Sequence, residues 1–339
     1  VQNPERLERV LVKRAEMPGL RHIVMMGGDT GGAAGVLTWE EFLAGGRSIA
    51  DADLQARLDA LGPRDGGTLL YTSGTTGQPK AVVLPHEALS YQAETLISII
   101  PVTPADRVIS YLPLSHIAEQ IVTVLTPPVG GHVLYFEPNI RQLADTIKEI
   151  RPTAMFAVPR VWEKYYAGIG EVLHEATGLK RKIVDRAMAV GLRAVEARSR
   201  GEQPPAALAL QYGLFDRLVY SKAKRETGFD QTRYMFSAAA PLSPAVTNFF
   251  AGLGMQILNL YGLSECTGLC SVNGPATNRI GSVGRALPGV DLKIAGDGEI
   301  LTRGPNTLLG YLDDPEATAQ VRDAEGFVHT GDVGHLDAD

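Results

Sequence analysis

Apolar positions along the chain follow two periods, and their alternation sets out an architecture before any single residue is considered. Over residues 3–16 the apolar Leu7, Val10, Leu11 and Ala15 recur at helical spacing among charges, and Pro18-Gly19 stops the run. Residues 21–26 read as a buried strand and 27–35 as a loop. Thr38 then opens a helix through Trp39 to Leu43, with Glu41 in place as its capping-box partner. The apolar run Thr68-Leu69-Leu70-Tyr71 stops abruptly, and Ala81-Val82-Val83-Leu84 resumes the strand pattern after a polar interval. Two such runs around a glycine-containing turn predict a β-hairpin.

Beyond the hairpin the pattern switches repeatedly between helix and strand. Residues 86–99 read as a helix, 106–112 as a strand, 131–136 as a strand, 140–150 as a helix and 154–158 as a strand. Short connections between such units imply a parallel sheet with helical crossovers, so the fold class is α/β in layers. Residues 165–226 are helix-rich, with a basic run (Lys180, Arg181, Lys182, Arg186) and a break at 201–205. They read as one solvated helical hairpin, while a membrane-facing basic surface stays open as a second reading. Strands follow at 234–240 and 254–260. From Asn278 onward, strands punctuated by Gly and Pro predict a small distorted β-barrel. The expected organisation is therefore 1–277 as layered α/β and 278–339 as the barrel.

Composition narrows the class. A 339-residue chain with 45% hydrophobic and 21% charged residues is ordinary globular material, long enough for several packed layers. The net charge of −6 argues against a nucleic-acid binder. Cys266 and Cys270 are too few for a disulfide framework and lack a second ligand pair for a metal, so the chain reads as reduced, intracellular and cytoplasmic, the pair serving as packing. No stretch has the length and apolarity of a membrane span. The first residue is Val1, which is read as a sign that a segment upstream is missing.

The candidate chemistry begins in the hairpin. Thr72-Ser73-Gly74-Thr75-Thr76-Gly77-Gln78-Pro79-Lys80 combines hydroxyls, glycines and a lysine. Glycines let backbone N–H groups approach an anion, hydroxyls add donors, and a lysine supplies a point charge suited to phosphate. An ordinary polar loop is the bland alternative. The stretch is not a Walker A loop, because Lys80 lies between Pro79 and Ala81 and leads into a strand rather than a helix. Pro113-Leu114-Ser115-His116 places a histidine at the carboxyl end of a sheet strand, where ligands collect in open α/β sheets; helix capping is its other reading. Trp162, in Val158-Pro159-Arg160-Val161-Trp162, reads on composition as core. Ala238-Ala239-Ala240 ends a strand in residues small enough for a flat ring to lie against backbone. Tyr261-Gly262-Leu263-Ser264-Glu265-Cys266 offers an aromatic for stacking and a carboxylate for Mg²⁺. Thr330-Gly331-Asp332 reads either as an Asx-turn or as a diol-binding carboxylate.

Taken together and in this order, YTSGTTGQPK, YLPLSHIAEQ, VPRVW, the AAAPL segment, YGLSE and TGD resemble the adenylate-forming enzymes, and most closely the long-chain, bubblegum-like fatty-acyl-CoA synthetases. The resemblance covers nearly the whole chain. Ala81 stands where the family usually has Gly, and Cys266 where it usually has Thr. The resemblance implies activation of a fatty acid with ATP to an acyl-adenylate and pyrophosphate, followed by transfer to coenzyme A. It assigns Thr72 to Lys80 to the β- and γ-phosphates, Thr72 and Glu265 to Mg²⁺, Tyr261 with Ala239 and Ala240 to adenine, and Asp332 to ribose. Lys80, Glu265 and His116 become the catalytic candidates, with His116 beside the acyl and thiol site, and Trp162 becomes the gate of a fatty-acid tunnel. It also implies that the chain is an N-terminal domain truncated at both ends, ending at Asp339 before the hinge and the C-terminal lid. Peripheral membrane contact, a homodimer and association with the missing segments remain open as partners. A ligase delivering to a carrier protein, and a non-catalytic nucleotide- or fatty-acid-binding remnant, remain as alternatives.

Overall fold

In the computed structural model, which describes residues 1–72 and 79–338, the chain falls into two compact units, Val1–Gly62 and Pro63–Asp339. The first is built on the amphipathic helix Pro4–Lys13, capped by Asn3 and buried through Leu7 against Ile23 and Met25. Strands β1 (Ile23–Met25) and β2 (Val36–Thr38) pair in parallel. The expected capping box is present: the Glu41 N–H donates to Thr38 Oγ1 and the Thr38 N–H donates to the Glu41 carboxylate, opening the helix Trp39–Gly46. Both interactions lie within four consecutive residues, so sequence alone specifies them.

The second unit carries three sheets that matter for function. The hairpin of β3 (Gly66–Thr72) and β4 (Lys80–Pro85) is antiparallel in the register Thr72↔Lys80, and the helix His86–Ile99 follows it directly. Strands β5 (Arg107–Ser110) and β6 (Val133–Phe136) pair in parallel. Strands β7 (Ala154–Ala157), β8 (Tyr234–Ser237) and β9 (Ile257–Tyr261) form a parallel set. The antiparallel β10 (Ser271–Val272) and β11 (Arg285–Ala286) extend that set on the β9 side. Buried apolar residues from these strands, among them Val82, Leu84, Phe156, Phe236 and Leu258, share one core. Their near-continuous apolar composition is what strands covered on both faces require.

Three expectations are corrected. The segment from Asn278 forms no closed barrel among the described residues. Strand β13 (Glu299–Arg303) pairs with β12 (Asp291–Ile294) on one side and with the later β15 (Val328–Val333) on the other, in an open antiparallel sheet. Between them, β14 (Gly310–Tyr311) leaves that neighbourhood to pair with β4 of the hairpin. A barrel needs every strand of the run in one closed ladder, and β14 has been taken elsewhere. The helix-rich segment is not a solvated hairpin. Gly178–Ser199 buries Ala187, Val190, Gly191 and Ala194 and packs on the helix Pro244–Gly252. A side chain at Gly191 would collide with the Gly252 carbonyl, so the two helices approach at backbone distance. Cys266 and Cys270, both fully buried, are paired as a disulfide where reduced packing residues were expected. No helix among the described residues is long and apolar enough to cross a membrane.

Candidate active site

A cavity of about 540 Å³ opens at the carboxyl ends of the parallel strands, the edge where open α/β sheets collect ligands. Its lining is mostly apolar: Leu96, Ile100, Val108, Ile121, Val122 and Leu269 contribute, with Phe156 and Phe236 from the sheet. Thr72, His116, Thr126, His132, Ser264 and Glu265 add polar atoms to the lining, and Ala239 lines it as well. Residues Ile121–Leu125 adopt a π-helical turn beside it, an irregularity that re-aims successive side chains.

Each predicted residue has a definite place. His116 occupies the N-cap position of the helix Ile117–Gln120 and its carbonyl accepts from the N–H groups of Glu119 and Gln120, but its side chain makes no capping hydrogen bond and instead lines the cavity. The turn that carries it is held by the buried Glu119 carboxylate, which accepts from Ser110 Oγ at 2.6 Å and Thr123 Oγ1 at 2.7 Å. A buried carboxylate with that many donors is fixed in orientation, and it fixes the strand end in turn. Tyr261 Oη donates to Asp332 Oδ2 at 2.9 Å, bringing the ring expected to meet adenine next to the carboxylate expected to meet ribose. Burial, together with the neighbouring Asp332, pushes the Tyr261 hydroxyl above its ordinary value, so it stays protonated as a donor. The Asx-turn reading of Asp332 is set aside: its side chain meets Tyr261, while its own N–H donates to Thr330 Oγ1.

Gly262 lies so close to the returning Gly268 carbonyl that any side chain there would collide, which explains the glycine after Tyr261. Leu263 and Ser264 then lead into the single turn Ser264–Cys266, stabilised by Cys266 N–H donating to the Leu263 carbonyl. That turn presents Glu265, whose Oε1 accepts from Tyr311 Oη at 2.8 Å. Lys80 Nζ stands 5.1 Å from the centre of the same Tyr311 ring. Ala239 lines the cavity with φ at +74°, whereas Ala240 is exposed and does not line it. Ser73, Gly74, Thr75, Thr76, Gly77 and Gln78 lie outside the described residues; Thr72, Pro79 and Lys80 flank them.

Residues 21–312 match the family model of the AMP-binding enzymes. The chain belongs to the AMP-binding enzyme family. It is 38% identical over 288 residues to a putative fatty-acid–CoA ligase, fadD11, of Mycobacterium tuberculosis, a match covering 85% of this chain and 50% of that protein. It is 34% identical to the long-chain-fatty-acid–CoA ligase ACSBG2 of Xenopus laevis, over 99% of this chain and 47% of the relative. Among solved structures, ATP-bound MatB from Rhodopseudomonas palustris superposes with a TM-score of 0.60 at 26% identity, covering 82% of this chain and 47% of that one. The chain spans about half the length of the curated relatives it matches.

Within this AMP-binding enzyme, Trp162 requires correction. It is fully buried, packs against Phe229 and Phe250, and donates its indole N–H to the carbonyls of Ala157 and Phe236 at 3.2 and 3.1 Å. It lies in a core separate from the one that walls the cavity and does not line the cavity, so a gating role has no geometric basis. Tyr311 is the residue that sequence reasoning missed. Its Leu309-Gly310-Tyr311 setting carries no recognisable chemistry, and nothing local announces a contact with Glu265, 46 residues upstream.

The donor set fits magnesium. No cluster of three or more His, Cys, Asp or Glu side chains suited to a metal occurs among the described residues. Thr72 and Glu265 nevertheless line one cavity, and Mg²⁺ is commonly held by one or two protein oxygens, with phosphates and water completing its shell.

Proposed function

We propose that the chain carries the nucleotide- and acyl-binding half of a long-chain fatty-acid–CoA ligase. The observation supporting this most strongly is that Thr72 and Glu265 line one largely apolar cavity, while Lys80 stands over the ring of Tyr311, whose hydroxyl donates to Glu265. An apolar cavity of this size matches an alkyl chain, and the paired Tyr261 and Asp332 match a nucleoside.

On this reading the fatty acid enters as a carboxylate, already ionised at neutral pH, and needs no protein base. One carboxylate oxygen forms a bond to the α-phosphorus of ATP while the bond from that phosphorus to the bridging oxygen breaks and pyrophosphate leaves. Lys80 holds the β- and γ-phosphates, Asp332 the ribose hydroxyls, and Tyr261 with the Ala239 backbone the adenine. Glu265 and Thr72 would hold Mg²⁺, which supplies neutralisation of charge on the phosphates. What the chain contributes is orientation of the two reactants and fixed donors where charge develops. In the second half-reaction a thiolate, with coenzyme A as acceptor, forms a bond to the acyl carbon and AMP leaves; His116, which lines the cavity, is the candidate residue beside the reacting acyl group. Residues 278–339 act as the subdomain that brings Asp332 to the ribose.

The test is pyrophosphate–ATP exchange with a series of fatty acids. Exchange stimulated by long-chain acids, above that seen with acetate, is the expected result. ATP binding without exchange for any acid would reduce the chain to a nucleotide-binding fragment. If adenylation occurs, competition between coenzyme A and a carrier-protein thiol decides the acceptor.

A further inference from the structure

We propose that Tyr311 is a positioning residue that couples the phosphate-loop lysine to the magnesium-side carboxylate, so that Lys80 and Glu265 act as one unit. This rests on the nucleotide reading of the site and adds a residue to it. The backbone of Tyr311 is fixed from two sides. On one side β14 pairs with β4 in the register Tyr311↔Val82, and the flanking Leu309 and Leu312 N–H groups donate to the Val83 and Ala81 carbonyls at 2.8 and 2.9 Å. On the other, the Tyr311 N–H donates to Thr318 Oγ1 at 2.9 Å on the helix Pro315–Val321. Gly310 makes this possible, since a Cβ there would stand 2.9 Å from Thr318 Oγ1 and Cγ2.

From this clamped position the ring lies beneath Lys80 Nζ, and its hydroxyl donates to Glu265 Oε1. The carboxylate is thereby left with its other oxygen for a cation. The Glu265 turn is braced on its backbone as well: its carbonyl accepts from the Leu308 N–H at 2.8 Å, and Asn306 donates to the Cys266 and Leu269 carbonyls. The segment carrying Tyr311 thus supports both the main chain and the side chain of Glu265. A hydrogen bond to an ionised acceptor is directional and strong, and groups that orient a metal ligand commonly change metal affinity tenfold or more when removed.

The experiment is calorimetric titration of ATP into the 339-residue chain, with and without Mg²⁺, for the parent, Tyr311→Phe, Glu265→Gln and the double variant. Tyr311→Phe keeps the ring under Lys80 and loses only the hydroxyl. It is expected to leave Mg²⁺-free ATP affinity within about twofold and to weaken the Mg²⁺-dependent gain about tenfold. In the Glu265→Gln background the same substitution should change nothing further. A parent-like Mg²⁺ dependence in Tyr311→Phe overturns the proposal, as does a full additional loss in the double variant. A Tyr311→Phe variant too unstable to titrate would assign the hydroxyl a folding role and likewise overturn it. A parent chain that binds no ATP under any condition would instead overturn the nucleotide reading itself.

Discussion

Ala239 carries the backbone of the site into a region where L residues are strained. Its φ of +74° is ordinary for glycine and costs other residues on the order of 1 kcal/mol or more, with branched side chains the worst. Ala239→Gly should therefore be neutral or stabilising by up to about 1 kcal/mol in urea denaturation, because relief of strain is partly offset by the freer unfolded chain. Ala239→Val should be clearly destabilising; equal stability of the Gly and Val variants would disprove the strain. Asp106 illustrates the opposite case, a residue perfectly accommodated. Burial pushes its carboxyl up, but hydrogen bonds from Arg233, Thr153 and Thr103 together outweigh burial and hold it at about 2. Because the folded value is depressed, its contribution is complete above the unfolded value of about 4 and is lost as pH falls toward 2. The stability advantage of the parent over Asp106→Asn should be on the order of 2 kcal/mol at neutral pH and should shrink below about pH 4. A pH-independent difference between the two would remove the ion-pair account.

At the scale of elements, local signals were legible and distant ones were not. The capping box of Thr38 and Glu41, the Thr72↔Lys80 hairpin and the helix His86–Ile99 all rest on residues adjacent in sequence, and each appears where the pattern places it. Composition places Trp162 in the core, where it packs against Phe229 and Phe250, and the gate role comes from the resemblance alone. Trp162→Ala should cost about 3–5 kcal/mol in stability, as truncation of a core aromatic does, with no selective change in acyl-chain preference. The π-helical turn at Ile121–Leu125 is the element placed to set that preference, since Ile121 and Val122 line the cavity. Val122→Trp should shift fatty-acid binding toward shorter chains while leaving ATP affinity unchanged. Undiminished affinity for long chains in that variant would show that the alkyl chain runs elsewhere.

For the molecule as a whole, the site is a product of topology more than of any one motif. Strand β14 leaves the segment that was expected to close a barrel and joins the hairpin, and in doing so brings Tyr311 to both Lys80 and Glu265. The sequence pattern disclosed the longer strands but neither the two-residue β14 nor which sheet each strand would enter, because ladder partners separated by more than two hundred residues leave no local trace. In the same way, Tyr261 and Asp332 could be matched to adenine and ribose one by one, whereas their direct hydrogen bond emerges only from the fold. The central claim is that this arrangement binds Mg·ATP, and calorimetric titration of Mg·ATP into the parent chain and Lys80→Ala tests it most directly. The account predicts saturable one-site binding by the parent and a loss of roughly 1.5–3 kcal/mol in Lys80→Ala, the range for a hydrogen bond to a charged group. No binding by the parent, or equal affinity in the two proteins, would contradict it.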